Sequence, residues 1–228
     1  MRVIKKISLT PPNLGPRLQR AFGYAAEKHA GQTRKQTAVP YLSHLMAVAS
    51  LVLEAGGDED MAIAALLHDV VEDCGGMPRL REVRKRFGPR VAKIVEGCTD
   101  AFVEPKPEWM ERKKNYLREV KHADAETRLV SASDKLHNVR TILADYRQDG
   151  ESIWKRFSGK KEGTLWYYRA LSDEYPVPKS SSRRGIPIFR KRATNSPTAL
   201  RLPIRKLSVT SRRKSPGGRP ASRTTPAT

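Results

Sequence analysis

A pair of titratable side chains interrupts the most apolar stretch of this chain and limits the folds that it can adopt. His68 and Asp69 follow the run Ala-Ala-Leu-Leu at 64–67, and Val70 and Val71 come directly after them. Burying a carboxylate without a partner costs several kcal/mol, so a segment of this kind needs a compensating charge. The pattern favours a buried helix in which the His-Asp pair binds a divalent metal ion.

Two further carboxylates extend this pattern by one helical turn. Glu72 lies four residues after His68, and Asp73 lies four residues after Asp69. Residues at that spacing share a face of a continuous helix. We therefore predict one helix over about 59–73 that presents the His-Asp pair and two more acids together. Such a set suits metal-assisted hydrolysis, in which one group binds the ion and another accepts a proton from water.

The rest of 1–176 shows helical periodicity and no convincing pair of strands, so we predict an all-α bundle. Apolar residues recur at three- and four-residue spacing, and Gly or Pro marks most of the boundaries. Including the helix already described, the predicted helices span about 13–29, 43–55, 59–73, 78–88, 89–98, 108–122, 125–147 and 163–174.

The net charge of +20 belongs mostly to the C-terminal end of the chain. Residues 177–228 carry 14 of the 44 Lys and Arg residues and none of the 24 Asp and Glu residues, which leaves 1–176 at only +6. Ser, Thr and Pro are frequent there, and such a composition cannot bury enough apolar surface to offset its ordering entropy. We predict one domain at 1–176 and a disordered basic tail at 177–228.

The basic runs of this tail, at 183–184, 190–192 and 212–214, leave a different class of function open. Arg and Lys runs contact nucleic-acid phosphates with an affinity that falls steeply with salt. A nucleic-acid or ribosome-associated protein is therefore an alternative, although few aromatic residues interleave the runs. A frameshifted C terminus also stays open for the tail. Nucleic-acid binding by the domain itself is not predicted.

Only two cysteines are present, Cys74 and Cys98, and they exclude a disulfide framework. We predict free thiols in a reducing cytoplasm. The chain has no secretory signal and no apolar run of membrane-spanning length, so no membrane association is expected. The sequence makes no prediction about the oligomeric state.

Three dispersed segments supply candidate metal ligands: His44 near the start of the second predicted helix, His68-Asp69, and Asp134 in the seventh. Alone, each has a simpler interpretation, such as a loop histidine, a buried hydrogen-bonded pair, or an ion pair of Asp134 with Lys135. Together, two imidazoles and two carboxylates suit Mn²⁺, Fe²⁺ or Zn²⁺, and the oxygen-rich set favours Mn²⁺. The remaining histidines, His29, His122 and His137, are not predicted to be ligands.

These motifs resemble those of the HD-domain metal phosphohydrolases, most closely the hydrolase domain of RelA/SpoT homologues. The resemblance covers roughly 17–172, with the motifs in the family's order. The matching segments are Gly-Gln-Thr-Arg-Lys at 31–35, Pro-Tyr-Leu-Ser-His at 40–44, the run at 64–73, Phe-Gly at 87–88, Val-Glu-Gly-Cys-Thr-Asp at 95–100, and Asp-Lys-Leu-His-Asn-Val-Arg-Thr at 134–141.

The resemblance implies an all-helical bundle with one Mn²⁺ that removes pyrophosphate from the 3′ position of guanosine tetra- and pentaphosphate. Adenosine alarmones, NADPH or other phosphorylated nucleotides are alternative substrates for stand-alone enzymes of this type. No segment is long enough for a second, synthetase domain. The implied roles are metal ligation by His44, His68, Asp69 and Asp134, water activation by Glu72 and Asp73, a basic pair beside the nucleotide at Arg34 and Lys35, and a pocket lining of Tyr41, Asn138 and Thr141.

Overall fold

The computed structural model describes residues 13–103 and 105–175, and over these ranges the chain is an all-helical bundle, as predicted. The only extended pairing within them is an isolated bridge between Thr33 and Pro40. The predicted tail at 177–228 lies outside the described residues. The helices are α1 (Pro16–Lys28), α2 (Leu42–Glu54), α3 (Glu59–Leu67), α4 (Val70–Cys74), α5 (Gly76–Phe87), α6 (Pro89–Cys98), α7 (Trp109–Val120), α8 (Ala125–Asp149), a 3₁₀ helix (Gly150–Arg156) and α9 (Lys160–Glu174).

Helix α3 is the centre of the bundle. Its residues from Met61 to Leu67 are all buried, and it packs against α1, α2, α6 and α8. The Asp58 side chain accepts a hydrogen bond from the Met61 amide at 3.1 Å and so begins the helix with a side-chain cap. A helix that is apolar on every side belongs in a core, and α3 delivers His68 directly into it.

The prediction of one continuous helix over 59–73 is wrong, because α3 ends at Leu67 and α4 begins at Val70. His68 Nδ1 lies 2.8 Å from the Ala65 carbonyl oxygen. A side chain that bonds a carbonyl of its own turn competes with the backbone ladder. The Asp73 amide still donates to the Asp69 carbonyl at 2.9 Å, so these two acids remain one turn apart.

The second half of the chain closes one side of the bundle. Helix α9 packs against α7, where a Cβ placed on Gly159 would lie only 2.6 Å from the Trp109 ring. The 3₁₀ helix was not predicted; it follows α8 directly at Gly150, whose φ of +63° suits glycine. This extra turn carries Arg156 and leads into Phe157, and both reach the cavity described below.

Two further predictions concern the described ranges. Cys74 and Cys98 are both free thiols, as predicted. Among the helices that the structure describes, none combines the length and the apolar character that a membrane crossing requires.

Candidate metal centre

His44, His68 and Asp134 come together in the core from three different helical segments. Their nearest ligand atoms all lie within 4.8 Å of one another, and the three side chains are buried. His44 Nε2 is 3.2 Å from Asp134 Oδ1, and His68 Nε2 is 3.6 Å from the same oxygen. Within the described residues this is the one group of His, Cys, Asp or Glu side chains that meets in this way.

The hydrogen-bonding of this cluster fits a cation. The Nε2 atoms of His44 and His68 are buried and make no hydrogen bond among the described residues, although carboxylate oxygens of Asp134 and Asp69 lie 3.2 and 2.9 Å away. In the neutral ring, donation from His68 Nδ1 to the Ala65 carbonyl leaves the lone pair on Nε2. An unpartnered buried polar atom is costly, so two such nitrogens beside a carboxylate oxygen fit a divalent ion that binds imidazole and oxygen.

His137 contacts the Nδ1 side of the His44 ring. The two Nδ1 atoms lie 2.7 Å apart, so one ring donates to the other. Burial lowers the pKa of His137 to about 4, and the neighbouring positive charges act in the same direction. A neutral His137 can accept the proton of His44 Nδ1, which frees His44 Nε2 for a metal. This is the usual way in which an outer partner fixes a ligand histidine.

Asp69, the fourth predicted ligand, lies at the rim of the cluster. Its Oδ2 is 2.9 Å from His68 Nε2 and 3.7 Å from His44 Nε2. The same oxygen accepts a hydrogen bond from the Tyr41 hydroxyl at 2.5 Å. Tyr41, which the sequence predicts to line the substrate pocket, thus also contacts this carboxylate.

Glu72 and Asp73 face a neighbouring set of cations. Lys106 Nζ lies 3.0 Å from Glu72 Oε1 and 3.0 Å from Asp73 Oδ1, and so bridges the two acids. Gln32 donates to Asp73 at 3.1 Å. Burial raises the pKa of Glu72 to about 7, and the negative charges of Asp100 and Asp69 add to the effect. A carboxyl group with such a pKa can take up a proton near neutral pH.

Asp100 organises two of these cations. Its carboxylate is almost completely buried and pairs with Arg112 Nη1 at 2.5 Å and with the Lys113 ammonium. Although burial opposes it, the charge of Lys113 lowers the pKa of Asp100 to about 2. Sequence reasoning missed Arg112 and Lys113, because a highly charged helix such as α7 is typical of a solvated surface; the available signal for them was the run of basic residues at 112–114. It also missed Lys106, which lies in the loop before that helix.

Two adjoining cavities open beside the cluster. One, of about 660 Å³, is lined by all five predicted substrate residues, together with Arg156, Phe157 and Tyr168, which the sequence did not single out. The other, of about 410 Å³, has Glu72 in its wall. Its cationic lining consists of Lys35, Lys106, Arg112, Lys113 and Lys135.

Hydrogen bonds connect the larger cavity to the cluster. Arg34 donates to Asn138 Oδ1 at 2.6 Å, and Asn138 Nδ2 donates to Asp134 Oδ1 at 2.5 Å. The Arg34 guanidinium also lies over the Tyr41 ring, 5.7 Å from its centroid. Burial lowers the pKa of Lys35, and the nearby Lys113 and Arg112 charges reinforce this. Cations crowded against one another favour an anionic ligand.

Known proteins are similar to this chain in sequence and in fold. The HD-domain family matches residues 21–165. The guanosine-3′,5′-bis(diphosphate) 3′-pyrophosphohydrolase MESH1 of Xenopus tropicalis is 40% identical over 125 residues, which are 54% of this chain and 67% of that protein. The guanosine-3′,5′-bis(diphosphate) 3′-pyrophosphohydrolase of Aquifex aeolicus is 38% identical over 153 residues, which are 67% of this chain and only 21% of that protein.

A solved structure is also similar to this chain in its fold. It is a metazoan orthologue of SpoT, described as hydrolysing ppGpp, and it matches with a TM-score of 0.58 and 29% identity, covering 70% of this chain and 85% of that one. Family and geometry together indicate a divalent metal at the cluster. The chain therefore belongs to the HD-domain family and is homologous to the MESH1 and SpoT proteins.

Proposed function

We propose that this chain is a Mn²⁺-dependent guanosine-3′,5′-bis(diphosphate) 3′-pyrophosphohydrolase. The observation that carries the proposal is the convergence of His44, His68 and Asp134 beside a cavity lined with cations. The relatives named for this activity support the choice of a small phosphorylated nucleotide as substrate. Free thiols at Cys74 and Cys98 support a location in the reducing cytoplasm.

In this proposal His44, His68, Asp69 and Asp134 hold one Mn²⁺. When bound, the ion supplies positive charge that stabilises phosphoryl oxygens and acidifies water. Asn138 and Tyr41 keep the two carboxylates in place through the hydrogen bonds described above. Mn²⁺ is chosen over Zn²⁺ and Fe²⁺ because half of the ligand set is carboxylate oxygen.

Glu72 accepts the proton of the attacking water, and Asp73 orients that water. The water oxygen forms a bond to the phosphorus that carries the ribose 3′ oxygen. The bond between that phosphorus and the 3′ oxygen breaks, so pyrophosphate leaves, and the 3′ oxygen takes up a proton from solvent to become the 3′ hydroxyl of GDP or GTP. A carboxyl group whose pKa is about 7 is suited to this role at neutral pH.

The cavities bind the rest of the substrate. Lys35, Arg112 and Lys113 neutralise the pyrophosphate, and charge-assisted bonds to phosphate are the strong ones. Arg34, Tyr41 and Thr141 line the larger cavity, where the nucleoside and its 5′ phosphates are accommodated.

The test is a hydrolysis assay on the purified chain with Mn²⁺. Guanosine tetraphosphate should yield GDP and pyrophosphate in equal amounts, and the Asp69→Ala variant or excess chelator should abolish turnover. Adenosine alarmones and NADPH are assayed in parallel. Faster turnover of one of these would replace the guanosine substrate, and full activity in chelator would overturn the metal mechanism.

Deletion of 177–228 separates catalysis from binding by the tail. The proposal expects unchanged turnover after the deletion. Loss of salt-sensitive RNA binding with unchanged hydrolysis would assign the tail a second role, whereas loss of hydrolysis would contradict a catalytic unit confined to 1–176.

A further inference from the structure

Lys135 is a buried lysine that directly follows Asp134. Its side chain is only 12% exposed, and its Nζ lies 2.5 Å from Asp134 Oδ2. A buried ammonium is costly unless its charge is matched. The carboxylate of Asp134 matches it, so this pair has to be considered as one unit within the metal cluster.

The two oxygens of Asp134 have different partners. Oδ2 contacts Lys135, whereas Oδ1 lies between the Nε2 atoms of His44 and His68 and accepts from Asn138. With a separate partner at each oxygen, the plane of the carboxylate is fixed. One oxygen is directed at the point where the two imidazoles converge.

A tyrosine ring contacts the ammonium group of Lys135. Its Nζ lies over the Tyr116 ring, 4.9 Å from the centroid. The Tyr116 hydroxyl contacts Ser131 Oγ, which lies 2.5 Å from the Tyr175 hydroxyl. Buried Tyr116 from α7 therefore packs against the ammonium, and its hydrogen bond with buried Ser131 of α8 restrains the ring.

We propose that Lys135 is a positioning residue of the metal centre. By holding Oδ2 it presents Oδ1 as a single-oxygen ligand toward the two imidazoles. The inference rests on the proposed function, since it requires that the cluster binds a divalent ion. Lys135 also lines the smaller cavity, so a direct contact with substrate phosphate is the competing role that the test has to exclude.

Direct measurement of metal affinity distinguishes these roles. Isothermal titration of Mn²⁺ into the metal-stripped full chain is compared for wild type, Lys135→Met and Lys135→Arg. Lys135→Met should weaken Mn²⁺ binding about 10- to 100-fold, the usual effect of losing an outer partner of a ligand. Lys135→Arg, which still donates to Oδ2, should recover most of the affinity.

Lys28 provides a matched control. It too is paired with the preceding acid, Glu27, at 2.6 Å and lies over a tyrosine ring, 5.2 Å from the centroid of Tyr24. It lies outside the cluster and both cavities. Lys28→Met should therefore bind Mn²⁺ as wild type does, and an equal loss in both variants would overturn the proposal.

The remaining outcomes are also decisive. Wild-type Mn²⁺ affinity in Lys135→Met, with a raised KM for guanosine tetraphosphate, would overturn positioning and favour a phosphate contact. Should Lys135→Met fail to fold, Lys135→Gln, whose side chain is one bond shorter than that of lysine and uncharged, carries the same expectation. A wild-type chain that binds no divalent ion would refute the proposed function itself, a result separable from any effect of Lys135.

Discussion

The metal cluster and the neighbouring acid pair show opposite ways of placing charged groups. In the cluster, the Nε2 atoms of His44 and His68 are buried and make no hydrogen bond within the part of the chain that the structure describes. In the acid pair, Glu72 and Asp73 are already bridged by Lys106. The first region therefore offers imidazole nitrogens to a ligand. In the second region a lysine of the protein already pairs with the carboxylates.

This difference separates two requirements of phosphoryl transfer. Unpartnered nitrogens beside a carboxylate are organised for a cation that comes from outside the chain. Carboxylates that are paired with a lysine can change partners. Because the lysine side chain is flexible, an incoming phosphate can bind its ammonium group and leave the carboxylate free to contact water. The two regions meet at Asp69, whose charge acts on both His68 and Glu72.

The largest expected effect is the loss of one ligand from the cluster. His68→Ala should weaken Mn²⁺ binding by more than the roughly 10- to 100-fold that removal of an outer partner costs, and should abolish hydrolysis. Isothermal titration and pyrophosphate release measure the two effects. His122→Ala, which removes an exposed histidine outside the cluster, should change neither. Unaltered Mn²⁺ binding in His68→Ala would erase the distinction between the two regions.

The acid pair should respond in the opposite way. Glu72→Gln should lower kcat by about 10²- to 10⁴-fold, the usual contribution of a general base, while Mn²⁺ affinity stays at the wild-type value. Glu82→Gln is the control, because Glu82 is also partly buried and also shared by two cations, Arg79 and Arg86. Loss of Mn²⁺ binding in Glu72→Gln would show instead that Glu72 is a metal ligand.

A smaller effect is expected behind the cluster. His137→Phe keeps an aromatic ring of similar size but removes the acceptor for His44 Nδ1. Mn²⁺ affinity should fall by about tenfold, at the lower end of the range for outer partners. Thermal melting of the metal-free variant shows whether the fold is preserved. An affinity equal to that of the wild type would mean that packing alone orients His44.

Sequence predicted the cluster better than its surroundings, for a physical reason. His68 and Asp69 are conspicuous because polar groups inside the run at 64–67 demand an explanation. The helical class followed from periodicity, and it is confirmed. The break between α3 and α4 could not be predicted, because it accompanies one side-chain bond, from the His68 ring to the Ala65 carbonyl.

The cations were missed because their direction depends on tertiary packing. Arg112 and Lys113 lie on a helix whose composition suits water, yet Asp100 draws both inward. The unpredicted 3₁₀ helix likewise brings Arg156 to the larger cavity. Local patterns report whether a residue is polar, whereas the partner that it meets across the bundle is fixed only by the assembled fold.

The smallest effect concerns how strongly Lys106 controls Glu72. The proposed base must be ionised, so kcat/KM should fall as the pH drops below about 7, the pKa to which burial and the Asp100 charge raise Glu72. The positive charge of Lys106 opposes that rise. Lys106→Met should therefore raise the pKa of Glu72 further and move the acid limb of the pH profile to higher pH, with little change on its alkaline side. The control is Lys161→Met, which removes a lysine paired with the exposed Glu151. This variant should leave the acid limb of the pH profile where it is in the wild type. An acid limb that does not move in Lys106→Met would show that the bridge is dispensable and that burial and the neighbouring carboxylates set the ionisation of Glu72.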